Sequence, residues 1–135
     1  MSLLSRLIAP KYVAHAHCDL PCGVYDPAQA LIEAQSIRAV AEKYAANEDP
    51  AFRERAIIIK EQRSELVKHH LWVLWTDYFK APHFEKYPQL HTLFNEATKL
   101  AGAGGTKGSV DVATADALLA KIEEISKIFW ETKQG

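Results

Sequence analysis

The sequence predicts an all-α fold, an antiparallel four-helix bundle. Three observations support this. Apolar residues recur at spacings of three and four in four separate segments. Prolines and glycines fall between those segments. No stretch alternates with a period of two between turn signals, and no internal repeat is present. At 135 residues the chain is long enough for one domain around one core.

The first helix opens on Asp26 as N-cap and Pro27 as its first helical residue. Its stripe is Leu31, Ala34, Ile37, Ala41 and Tyr44, and Ala45-Ala46-Asn47 ends it. Asp49 and Pro50 start the second helix in the same way. Its stripe reads Phe52, Ala56, Ile59, Arg63, Leu66, His70, Val73 and Asp77, to about Phe79. Pro82 stops it, because the residue before a proline, here Ala81, is biased away from the α region. Arg63 stands where an apolar residue belongs, and a buried arginine must be paired. The third helix follows Pro88, with Leu90, Leu93, Phe94, Ala97 and either Leu100 or Ala101 facing inward. Gly102 to Ser109 reads as a flexible, glycine-rich connection. Asp111 or Thr114 starts the fourth helix, whose stripe is Leu118, Ile122, Ile125, Ile128 and Phe129, with a polar tail after Trp130.

Bulk properties exclude several classes. Lys+Arg 16 against Asp+Glu 17 leaves a net charge of -1, and no basic block offers a nucleic-acid surface. No apolar run approaches the roughly 20 residues of a membrane span. Two cysteines are too few for a disulfide scaffold and fit a reducing, cytoplasmic setting. Residues 1–16 differ from the rest and end in Ala14-His15-Ala16, a small-residue cleavage pattern. Pro10 and Lys11 interrupt the apolar run that a secretory signal needs. We read 1–16 as a cleavable pro-segment; a flexible tail and a secretory signal are the competing readings.

Between that segment and the first helix lies His17-Cys18-Asp19-Leu20-Pro21-Cys22-Gly23-Val24-Tyr25, an irregular hook holding both cysteines. A thioredoxin-like dithiol fits badly, since the spacing is C-x-x-x-C and no strands are expected. Structural zinc wants four side-chain ligands; His17, Cys18 and Cys22 give three, and His83 or His91 would have to close the set through space. A di-iron bundle needs Glu-x-x-His pairs, and none of the 6 histidines has a glutamate three residues before it. A fourth reading uses the backbone. In a chain starting at His17, a free amine, the Cys18 amide nitrogen and two thiolates would make a square-planar set, with the imidazole above it. Tetragonal geometry selects Cu(II) or Ni(II).

The stretch HCDLPCGVYDPAQA resembles the metal hook of the nickel-containing superoxide dismutases. So do Lys60-Glu61-Gln62-Arg63, Lys68-His69-His70, the run Asp77 to Pro88 and the run Ile128 to Lys133. The resemblance covers most of residues 17 to 133 and implies a four-helix-bundle domain over 17–135 with its hook at 17–25. It implies a single nickel ion held by His17, Cys18 and Cys22 after cleavage before His17. It implies Asp19 and Tyr25 at the access site, Glu33 and Arg63 holding the His17 imidazole, and a turn at Pro21 with a cis Leu20-Pro21 bond. If Glu33 and Arg63 form a buried pair, removing one partner should cost roughly 3–5 kcal/mol. The implied activity is disproportionation of superoxide in a homohexamer matured by a processing peptidase. Lys80 is a candidate for steering the anion, against the plainer reading of a surface lysine. His70 reads as a packing histidine, and Trp72, Trp75, Phe79 and Trp130 as core or subunit interface. The alternatives are a non-catalytic nickel- or copper-binding storage or delivery protein, and a purely structural helical oligomer.

Overall fold

The computed structural model describes residues 22–135. It contains helices and no strand among the described residues. Helix α1 spans Ala28–Ala46, α2 Pro50–Val73, α3 Ala81–Lys86, α4 Leu90–Leu100 and α5 Val112–Gln134. A wide π-type turn, Leu74–Tyr78, prolongs α2. No described helix is long and apolar enough to cross a membrane.

The helix starts follow from their caps. Asp26 Oδ1 accepts the Ala28 amide at 2.8 Å, and Pro27 precedes it in helical conformation. Asp49 accepts the Phe52 amide at 3.0 Å with Pro50 next in line. Asp111 accepts the amides of Ala113 and Thr114. Each supplies an acceptor to otherwise unpaired first-turn N–H groups.

The four long helices form a ring of antiparallel neighbours. α1 packs on α2 and α5, and α4 packs on α5 and α2. Ion pairs tie these pairs from outside: Glu33 with Arg63, Arg38 with Asp116 at 2.5 Å, Glu96 with Lys121 at 2.5 Å. The core combines Ala30, Ala34 and Ile37 of α1, Val67 and Leu71 of α2, Leu90 to Ala101 of α4, and Ala115 to Phe129 of α5. The alanines on α1 let its neighbours approach closely, and larger side chains of α4 and α5 fill the remaining space.

Three expectations are corrected. The inner stripe of α2 is Ala56, Lys60, Ser64, Val67 and Leu71, so Ile59, Leu66 and Arg63 lie on a different, partly exposed face. The true stripe was hidden because it carries a lysine and a serine where apolar residues are the rule. Pro82 does more than stop α2: it sits in the first turn of α3, where its missing N–H costs nothing. The polar residues after Trp130 continue α5 to Gln134.

The Gly102–Ser109 connection is also fixed in place. Lys60, 2% exposed, reaches from α2 to the carbonyl oxygens of Thr106 and, at 3.1 Å, Lys107. The Ser64 and Thr106 hydroxyls meet at 2.8 Å. The Thr106 amide donates to the Leu100 carbonyl at 2.7 Å, and a Cβ on Gly105 would collide with that carbonyl, so the close approach requires glycine. Burial pushes the Lys60 amine below the ordinary lysine value, against a smaller opposing pull from Glu61.

Lys60→Met keeps the stem and removes the donors, leaving two carbonyls short of partners. We expect it to lower stability by about 1–3 kcal/mol, read as a reduced urea midpoint with an unchanged slope. The unfolded chain holds the Lys60 proton more tightly than the folded one. Wild-type stability relative to Lys60→Met should therefore rise with pH in the alkaline window ending near the unfolded value of 10.5. A difference independent of pH there would count against a buried cation.

Candidate metal centre

His17, Cys18, Asp19 and Pro21 lie outside the described residues. Cys22, Tyr25, Glu33, Arg63 and Lys80 lie within them, and the structure shows where the bundle presents them. Cys22 is free and exposed just ahead of α1. Its sulfur accepts the Val24 amide at 3.4 Å. The same sulfur faces the Val24 carbonyl at 3.9 Å. Gly23 between them takes a φ of 75°, in the left-handed region that glycine enters freely. Cys22 supplies one soft donor of the kind nickel takes, and no group of three or more His, Cys, Asp or Glu side chains among the described residues could hold a metal.

Tyr25 closes the hook against the bundle. Its ring lies 5.6 Å from that of Tyr78, at the end of the π-type turn. That turn closes with the Phe79 amide on the Leu74 carbonyl at 3.0 Å. The extra residue in the turn lets the half-buried Tyr78 and the fully buried Phe79 both pack inward, edge to face at 5.0 Å. Phe129 of α5 packs on Tyr78 at 4.3 Å, and the His83 ring of α3 stacks on it at 5.7 Å. The Tyr78 hydroxyl meets Thr132 at 2.6 Å. The hook therefore leaves the bundle where α2, α3 and α5 supply one aromatic wall.

Glu33 and Arg63 are brought together in the second turn of α1, with contacts of 3.0 and 3.3 Å from one guanidinium nitrogen to both carboxylate oxygens. The pairing agrees with expectation; its burial does not. The Arg63 side chain is 40% exposed and that of Glu33 16%. Water reaches the guanidinium, because α2 turns its Lys60 and Ser64 side inward instead. Lys80 is exposed, and its backbone amide donates to His83 Nδ1 at 3.0 Å, opening α3.

The sequence assigns no individual role to Tyr78, Thr132 or Lys133, and names His83 only as a possible zinc ligand. For Tyr78 a signal existed: Val67, Leu71, Leu74 and Tyr78 continue the true inner stripe of α2 at steps of four and three. Nothing local pointed to Thr132, which meets Tyr78 only through the packing of α5 on the end of α2. Of the aromatic residues left open, Phe79 is core and Trp75 packs against the core, while Trp72 and Trp130 are exposed.

Residues 12–133 match the family model described as nickel-containing superoxide dismutase. A curated nickel-type superoxide dismutase of Streptomyces coelicolor is 63% identical over 133 residues, covering 98% of this chain and 100% of its own. One from Streptomyces seoulensis is 64% identical over the same length, with the same coverage. A native nickel superoxide dismutase structure superposes with a TM-score of 0.84 at 63% identity, covering 88% of this chain and 100% of that one. A structure with the nickel ligation of the oxidised state gives 0.84 at 64% identity, with the same coverage.

Because the Glu33–Arg63 pair is hydrated, Arg63→Ala should cost only about 0.2–1 kcal/mol of stability. A double-mutant cycle with Glu33→Gln, followed by urea unfolding, measures the pair directly. A coupling of several kcal/mol would show that the pair is desolvated.

Proposed function

The chain belongs to the nickel-containing superoxide dismutase family, and from that premise we propose that His17, Cys18 and Cys22 are its metal ligands and that residues 1–16 are removed to complete them. The enzyme disproportionates superoxide: two superoxide anions and two protons give dioxygen and hydrogen peroxide. Nickel is its cofactor and, when bound, supplies a one-electron Ni(II)/Ni(III) couple that thiolate and amidate donors bring into range.

The observation that carries the ligand assignment is the free, exposed Cys22 thiol accepting an amide N–H at the mouth of the bundle. Cleavage before His17 by a processing peptidase turns an acylated amide into an amine, so the ligand set gains a donor that the uncut chain lacks. We assign the His17 amine and imidazole, the Cys18 amide nitrogen and thiolate, and the Cys22 thiolate to the metal.

The remaining residues act on the substrate's path and on the ligands. Tyr25, backed by Tyr78, narrows the route to a small anion, and Asp19 lines it from within the hook. Glu33 offers a carboxylate to the His17 N–H, with Arg63 fixing that carboxylate in place. Lys80, exposed on the rim, adds positive potential that draws superoxide in. The exposed Ile32, Ile58, Leu66, Trp72 and Trp130 are apolar surface that a homohexamer would cover. A cytoplasmic setting keeps both thiols reduced.

The test compares nickel-loaded chains beginning at Met1 and at His17. We expect dismutation from the second alone, and its loss in Cys18→Ser and Cys22→Ser. Nickel bound to the shorter chain without turnover would favour a storage or delivery protein. Retained activity in either serine variant would remove that thiolate from the ligand set.

A further inference from the structure

Three residues near the end of α5 contact Tyr78. The Phe129 ring lies 4.3 Å away, the Lys133 ammonium stands 4.9 Å over the ring centre, and the Thr132 hydroxyl is 2.6 Å from the phenol oxygen. The direction of that last bond follows from another. Thr132 Oγ1 donates its single proton to the Phe129 carbonyl at 2.6 Å. Toward Tyr78 it can therefore only accept, and the Tyr78 phenol must donate. One hydroxyl at the end of a helix thus fixes both the ring and the proton of a tyrosine 54 residues earlier in the chain.

Tyr78 is in turn the surface against which Tyr25 rests, with ring centroids 5.6 Å apart. The chain of contact runs from the end of α5, through the π-type turn, to the hook. We propose that Thr132 is a positioning residue of the dismutase site: by accepting the Tyr78 proton it locks Tyr78, and through Tyr78 it sets where Tyr25 stands on the access route. This inference rests on the reading of Tyr25 as a residue lining that route. It also assigns a role to the segment after Trp130, whose polar residues extend α5 as far as this contact.

The test uses Thr132→Val, which keeps shape and removes the acceptor, and Thr132→Ser, which restores it. In the metal-free protein, ultraviolet resonance Raman reads the hydrogen-bond marker of Tyr78, assigned by difference from Tyr78→Phe. In the nickel-loaded chain starting at His17, pulse radiolysis separates KM from kcat. Thr132→Val should shift the Raman marker and raise KM roughly three- to tenfold, the worth of one ordinary hydrogen bond, with kcat little changed. Thr132→Ser should return both to the wild-type values. An unmoved marker in Thr132→Val, a moved marker with wild-type KM, or a serine variant that fails to restore either would overturn the proposal. Wild-type kinetics in Tyr25→Phe would overturn the reading of Tyr25 on which it rests, while leaving the Raman result to report on Thr132 alone.

Discussion

The ammonium group of Lys60 sits on the inner face of α2, where the bundle would otherwise be hydrocarbon. A buried cation is costly unless its donors are met. The carbonyl oxygens that meet them belong to Thr106 and Lys107, in the connection between α4 and α5. Lys60 thus ties the placement of that connection to the burial of its own charge. The glycines allow the backbone to come close enough, and the Ser64–Thr106 hydroxyl pair adds a second tether alongside. With the connection fixed against α2, the α4–α5 pair is set against the α1–α2 pair. The aromatic contacts at the hook end require that registration.

The hook end is built by different means. Besides Thr132 and Lys133, aromatic surfaces meet there: Tyr25 on Tyr78, Tyr78 on Phe129 and His83, and Phe79 beside them. These residues come from the start of α1, the end of α2, α3 and the end of α5. None of them could form the wall alone, because each lies at a helix terminus whose position is set by packing elsewhere. The described part of the segment before α1 ends on the Tyr25–Tyr78 pair, and the Glu33–Arg63 pair lies in the second turn of α1.

Much of this was legible in the residues. The caps at Asp26, Asp49 and Asp111 are local chemistry, and each falls at the helix start it predicts. The stripes of α4 and α5 are wholly apolar and were read correctly. The stripe of α2 was misread because its inward side includes Lys60 and Ser64, while its outward side carries Ile59 and Leu66. Apolar periodicity identifies an apolar face; it does not identify which face is inside when the helix carries apolar residues on an exposed side as well. Tyr78 and Thr132 were out of reach for a related reason: their contact joins residues distant in sequence, and no spacing rule connects them.

The sequence by itself determined the helical class, the helix starts, the family and the pairing of Glu33 with Arg63. These depend on residue type, local spacing and a strong family resemblance. The tertiary structure decided which side of α2 is buried, that the glycine-rich connection is tethered, how exposed Arg63 is, and which groups stand behind Tyr25. All four depend on where one helix meets another, and that is set by the combined packing of the bundle. The proposed ligands lie within six consecutive residues, whereas the aromatic wall behind Tyr25 exists only once α1, α2, α3 and α5 have come together.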